Sequence, residues 1–254
     1  MGRERLEAEF GCYSEWLAEA CAELQADPVP AVSRGTGRPA LLELARERLD
    51  IRTGHRILDL GCGLGGPSAW LMRTTGADIV GVDLMWQSIA GLHRLVPGLS
   101  GLVASGRALP FHEGAFDRAW SLGVLEMVAD KATAIEETYR VLRPGGRFFV
   151  YDYVLVTRPP DHAPQADRFS PPHDTRRCLE QTGFIVEEAS ELPPLPSMPP
   201  EWAATRDAVR GEVRRRHGTD TRFRIVEEEL STFRALVGEG VIAEWMFVAS
   251  KPGP

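Results

Sequence analysis

The period of the hydrophobic positions changes several times along the chain, and each change predicts an element boundary. Leu6, Phe10, Tyr13, Leu17, Cys21 and Leu24 recur every three or four positions, the spacing of one buried helical face. Asp27-Pro28 ends that helix, and Val29 to Pro39, rich in proline, glycine and small residues, reads as a loop. A second helix carries Leu41, Leu44, Ala45 and Leu49. Short apolar runs then alternate with helical segments. Strands are predicted over Arg56–Leu60, Asp78–Asp83, Leu99–Ala104, Asp117–Leu122 and Gly146–Tyr153. Helices begin near Pro67, which suits a first turn, near Trp86, and near Asp130, which suits an N-cap. Pro144-Gly145-Gly146 ends the last of them and turns into the fifth strand. Such alternation predicts a parallel sheet with helices on both faces.

After Val156 the pattern loosens. Pro159, Pro160, Pro164, Pro171 and Pro172 mark a long irregular connection to a helix around Asp174–Gln181, and a strand follows at Phe184–Ala189. A second proline cluster, Pro193 to Pro200, opens two amphipathic helices. Trp202, Thr205, Val209 and Val213 share a face of the first; Phe223, Val226, Leu230, Phe233 and Val237 share a face of the second. Val241–Ser250 is the last strand. The expected fold is α/β, a doubly wound, mostly parallel seven-stranded sheet. Its parts are N-terminal helices over 1–50, a core over 51–156, and a remainder over 157–254. Within that remainder the rest of the sheet lies at 174–190 and 241–250, with a helical lid at 193–240 inserted between the last two strands.

Composition narrows the class. With 254 residues, 43% hydrophobic and 26% charged, the chain has the balance of a globular protein. No run approaches the roughly 18 apolar residues of a membrane span, and Met1 to Phe10 is charged where a signal peptide is apolar, so the expectation is a cytoplasmic protein. Cys12, Cys21, Cys62 and Cys178 form no CxxC pair and predict reduced thiols. A net charge of -7 works against a nucleic-acid partner. No His/Asp/Asn cluster at ligand spacing points to a metal.

The chemistry begins at Ile57-Leu58-Asp59-Leu60-Gly61-Cys62-Gly63-Leu64-Gly65-Gly66, a strand entering a glycine-rich turn and then a helix. Dinucleotide enzymes use such a turn too, and it can be purely structural. Gly61-x-Gly63-x-Gly65 is not the GxGxxG form, and Asp83, ending the second strand, can accept hydrogen bonds from a ribose diol. The whole series decides between these readings: Leu109-Pro110-Phe111, Phe116-Asp117, Val124-Leu125-Glu126, Glu137 and Arg140-Val141-Leu142-Arg143-Pro144-Gly145-Gly146 follow in order. Over residues 55 to 153 the chain resembles the class I methyltransferases that use S-adenosyl-L-methionine, in their small-molecule branch (natural-product, sugar and lipid-precursor enzymes).

The resemblance implies roles. Gly61, Cys62, Gly63 and Gly65 would face the methionine portion and Asp59 its ammonium, Asp83 the ribose, and Leu84 and Met85 the adenine. Trp86 is either a further adenine contact or core packing. Ser105, Gly106 and Arg107 would border the adenine amine, and Ser121 and Leu122 the sulfonium methyl. The N-terminal helices would cover this site. Where relatives read Gly-Asp-Ala, this chain has Ala104-Ser105-Gly106, so a hydroxyl stands in place of an acid. That leaves open a methyltransferase-fold protein that catalyses a cyclisation or rearrangement, or only binds its ligand.

The main expectation is methyl transfer to a small-molecule acceptor, with oxygen favoured over nitrogen or carbon and with neither nucleic acid nor membrane as partner. The segment after the fourth strand, Ser121-Leu122-Gly123-Val124, lacks the polar-Pro-Pro-aromatic form of amine-methylating enzymes. Asp152, beside Tyr151 and at the carboxyl end of the fifth strand, is the candidate base or a loop cap; His173 and His162 lie on the following connection. Glu126-Met127 stands where relatives show Glu-His or His-His. Trp202, Phe223 and Trp245 are candidate substrate contacts, with ordinary packing as the alternative for the lid aromatics. Arg206, Arg210, Arg214, Arg215 and Arg216 are a solvated face or, on the sharper reading, an anion site.

Overall fold

A computed structural model of the chain describes residues 3–33, 37–158, 166 and 168–253, with side chains from residue 9 onward. Its strands are β1 (Arg56–Leu60), β2 (Asp78–Asp83), β3 (Ser100–Val103), β4 (Phe116–Leu122), β5 (Leu142–Leu155), β6 (Ile185–Glu191) and β7 (Ile242–Ser250). They form one sheet in the order β3-β2-β1-β4-β5-β7-β6, parallel except where β7 runs antiparallel to β5 and β6. The doubly wound α/β expectation is met, including the helical insertion before the last strand.

Alternation along each strand sends side chains to opposite faces. Ile57, Trp120, Phe149, Tyr151 and Met246 join one core with α3 (Pro39–Arg48), α4 (Gly66–Thr75) and α5 (Trp86–Leu95). Leu58, Ala119, Phe148, Val150 and Phe247 join the other, with α6 (Lys131–Val141) and α7 (Pro172–Thr182). A third core joins α1 (Arg3–Glu23) and α2 (Pro28–Val32) to the inserted helices α8 (Pro200–His217) and α9 (Thr221–Gly238). In it Tyr13, Trp16 and Leu17 meet Val209, Val213, Phe223 and Val226, each such burial stabilising by about 1.5–3 kcal/mol. The Trp16 ring stacks on His217 with centroids 4.2 Å apart, and the Arg222 guanidinium lies 5.2 Å from the Trp16 ring centre. The lid is thus seated on the N-terminal helices.

Several local expectations change. The expected loop at 29–39 begins as α2, because Pro28 suits a first turn and the Asp27 carboxylate accepts the Val29 N–H. Leu24 falls beyond α1 and is 46% exposed, the chain leaving the helix through Gln25 at φ 49°. On α9 the buried residue is Leu236, not Val237, since an apolar repeat of 3.5 drifts around a helix of 3.6. β5 begins at Leu142, opposite Phe116, four residues before Gly146, and a register shift absorbs the Pro-Gly-Gly turn. Asp130 caps α6 as expected, accepting from the Thr133 N–H. His162, Pro159, Pro160 and Pro164 lie outside the described residues.

Candidate active site

The carboxyl end of β1 leads into a turn fastened to β2: the Gly61 and Cys62 amides both donate to Val82 O, at 2.8 and 3.0 Å. Gly61, Gly63 and Gly65 all take left-handed φ, at 80°, 53° and 80°. A Cβ added at Gly61 would strike Val124, whereas one at Gly63 would meet nothing within 4 Å. The Gly63 backbone therefore borders open space, as a cradle for a ligand must. Gly81 on β2 has a purpose the sequence does not reveal: a Cβ there would lie 2.6 Å from Cys62 Sγ.

Two carboxyl groups flank the turn. Asp83 accepts the Gly63 N–H on Oδ2 and the Met85 N–H on Oδ1, both at 2.9 Å, and so shapes the turn itself. Asp59 is 3% exposed and accepts from Ser68 Oγ at 2.6 Å. The Trp120 indole lies beside it without closing a hydrogen bond. Burial pushes the Asp59 carboxyl up to about 7, against the Ser68 hydroxyl and the Trp120 indole, which favour its ionised form. Beyond β2, Leu84 is 57% exposed and half-buried Met85 follows; Val103, at the end of β3, is 53% exposed, so an apolar rim continues the turn.

These features sit at the carboxyl edge where the strand order reverses, the place at which open α/β sheets bind ligands. Residues 58–150 match the family model described as a methyltransferase domain. These residues carry the sequence pattern of a methyltransferase domain. The chain is 37% identical over 121 residues to the methyltransferase GfsG of Streptomyces halstedii, covering 45% of this chain and 44% of that one. It is 32% identical over 160 residues to the O-methyltransferase cnsE of Penicillium expansum, covering 57% of each. The matched part thus spans about half the length of these curated relatives. Among solved structures, the [4+2]-cyclase SpnF superposes with a TM-score of 0.68 at 23% identity, covering 84% of this chain and 80% of that one.

The methyltransferase domain continues past its family match into a raised wall. β4 ends at Leu122, opposite Tyr151, so residues 152–155 of β5 extend beyond it with β7 alongside. Tyr151, Tyr153 and Glu244 occupy the wall face continuous with Asp59 and Trp120. Three donors converge there on Glu244 Oε1: Tyr151 OH at 2.5 Å, Tyr153 OH at 3.1 Å and Arg38 Nη2 at 2.8 Å. Burial, then the neighbouring Tyr153 and Glu244, hold the Tyr151 hydroxyl protonated far above its usual range. Burial does the same to Tyr153.

Asp152 points to the opposite face, 1% exposed, toward Glu126. Glu126 Oε2 accepts the Tyr153 backbone N–H at 2.8 Å. Burial, reinforced by the Glu126 charge, raises the Asp152 carboxyl well above the ordinary carboxylate range. Asp152, expected as a base or a loop cap at the strand end, thus lies buried beside Glu126 on the face away from Tyr151.

The other expected site residues disperse. His173 is exposed at the start of α7, its Nε2 3.5 Å from Asp174 Oδ1, and no hydrogen bond links it to Asp152 or Tyr151. With Trp245 it lines a cavity of about 500 Å³ beside Leu155 and Pro172, on the Asp152 side of β7. Trp202 packs against the core below the wall, and Phe223 packs 6.2 Å from the Tyr13 ring. Trp86, 60% exposed, is not core. Ser121 Oγ is buried with no hydrogen-bond partner, while Leu122 is core. Ser105 Oγ accepts the Arg107 N–H at 3.2 Å, and half-buried Gly106 lies between them. Arg214, Arg215 and Arg216 pair with Glu227, Glu212 and Glu23, as on a solvated face. Sequence reading missed Arg38 and Glu244. The second had a signal, a lone acid within the apolar run Ile242–Ser250.

Proposed function

We propose that the chain binds S-adenosyl-L-methionine and methylates a small-molecule acceptor of natural-product type, with oxygen favoured over nitrogen or carbon. The observation that carries this reading is Asp59: a carboxyl buried to 3% exposure, beside a glycine turn open on one side, with no cationic partner among the described residues. An amino-acid ammonium complements that carboxyl in charge and would draw it back into its ionised form. Asp83, at the end of β2, would accept from the ribose; Leu84, Met85 and Val103 would contact adenine. When bound, the cofactor supplies a methyl group on a sulfonium. The chain's part is alignment: Tyr151 and Tyr153 stay neutral donors, and the seated lid excludes water.

Calorimetry with S-adenosylhomocysteine tests the cofactor reading, with micromolar binding expected and no binding sinking it. Ser105 supports a second reading, a non-methylating cyclisation or rearrangement, as the name of the structurally similar SpnF allows. Methyl-labelled cofactor separates the two, since only transfer puts label into product.

A further inference from the structure

The overhanging wall of β5 and β7 carries a carboxylate that is only half used. All three of its protein donors bond Oε1 of Glu244, and among the described residues none bonds Oε2. The side chain is 28% exposed, so Oε2 is not sealed in the core. Three separate parts of the protein hold this group. Arg38 precedes α3 on the N-terminal cover, 206 residues away in sequence. Tyr151 and Tyr153 come from β5, and the Tyr153 ring meets Phe233 of the lid edge-on, with centroids 4.5 Å apart. The segment before α3, strand β5 and, through Tyr153, helix α9 thus meet at one carboxylate. It stands three strands from β1, roughly 14 Å sideways at about 4.8 Å per strand. That interval lies on the same sheet face as Asp59.

We propose that Glu244 is the acceptor-recognition residue of this methyltransferase, its Oε2 accepting a hydrogen bond from a neutral hydroxyl group of the substrate. This rests on the methyltransferase reading and narrows its acceptor class. Charge selects the hydroxyl. Arg38 lies 2.8 Å from the same carboxylate, so the pair carries no net charge and offers a cationic amine little attraction. A carbon nucleophile has no donor to satisfy Oε2. The tyrosine hydroxyls already donate to Oε1, which fixes the carboxylate rotamer before substrate arrives and removes that ordering cost from binding. A site built this way rejects the hydroxyl-free analogue, because Oε2 would be desolvated without a partner.

The test uses the full chain saturated with S-adenosylhomocysteine and matched probes: 1-naphthol with 1-methoxynaphthalene, and benzyl alcohol with benzyl methyl ether and benzylamine. Calorimetry should show each hydroxyl probe binding about tenfold or more tighter than its ether or amine. In Glu244→Gln, the carbonyl can keep the Oε1 contacts while an amide N–H₂ replaces Oε2, and the preference should shrink to within about twofold. Tyr153→Phe, which leaves the carboxylate in place but loosens it, should shrink it by about threefold and serves if the Gln variant fails to fold. The proposal is overturned if no hydroxyl probe binds, if ether or amine binds as tightly, or if Glu244→Gln keeps the preference. S-adenosylhomocysteine binding in the same preparation tells such a failure apart from failure of the cofactor reading.

Discussion

The cofactor edge and the acceptor wall share one sheet face but are assembled differently. At the cofactor edge the polar groups lie close in sequence: Asp83 fastens Gly63 and Met85, and Ser68 satisfies Asp59 nine residues away. Asp83 there bonds backbone amides and Asp59 a nearby hydroxyl, so the bonds of the turn are local. On the wall, Glu244 is held by side chains 91, 93 and 206 residues distant. The first region can hold its shape through variation elsewhere in the chain; the second depends on the lid, the N-terminal cover and the last strand all arriving together. With the proposed roles, that difference makes for a stable cofactor site beside an adjustable acceptor site.

If the cofactor edge is self-contained, damage there should abolish cofactor binding and spare the wall. Gly63→Val places a β-branched side chain at φ 53° on the open side of the turn. Calorimetry should show S-adenosylhomocysteine affinity reduced by about 100-fold or more, with only a modest fall in Tm, since strain at one left-handed residue costs about 1–2 kcal/mol. Asp83→Ala is next. It removes the acceptor of two amides and should weaken binding by about 10- to 100-fold, the 1–3 kcal/mol of lost charge-assisted hydrogen bonds. A variant with unchanged affinity would mean that the turn does not need its carboxylate.

Asp59 gives a smaller effect with a distinctive sign. Its carboxyl is raised to about 7 by burial, against about 3.9 in the unfolded chain. Between these values the unliganded protein binds more protons folded than unfolded, so its stability should fall as pH rises from about 4 to 7. Affinity for an ammonium-bearing ligand should move the opposite way, dropping by up to about tenfold per unit as pH falls below 7 and the carboxylate is protonated. Calorimetry and thermal melts across pH 5 to 8 measure both slopes, and Asp59→Asn should flatten both. The smallest effect sharpens the other side of the comparison. Trp16→Ala removes the stack on His217 and the Arg222 contact, and should speed amide hydrogen exchange in α8 and α9 while leaving exchange at β1 and β2 unchanged. Exchange rising equally in both regions would show that the two are not independent.

How much could be read beforehand follows the same division. β1 and β2 match their predicted limits because each is a short apolar run ended by turn residues, and Asp130 caps α6 because capping is local. Asp152 was legible as a strand-end acid but not as a buried one. The strand period sends it away from Tyr151, and only the packing of the 3₁₀ turn Leu125–Met127 puts Glu126 against it. Asp152 and Tyr151 are neighbours in sequence and strangers in space. His173 and Trp245, 72 residues apart, are the reverse, brought together beside the sheet by the path of β7.

The sequence by itself determined the sheet class, the left-handed glycine turn and its two flanking acids, because these depend on φ/ψ preferences and on spacings within about 25 residues. Tertiary structure alone decided what surrounds each carboxyl group. Burial against Glu126 raises the Asp152 carboxyl, while three distant donors converge on Glu244 Oε1 and none among the described residues bonds its Oε2. Desolvation and long-range hydrogen bonding belong to the folded surroundings of a side chain, and no local spacing encodes them.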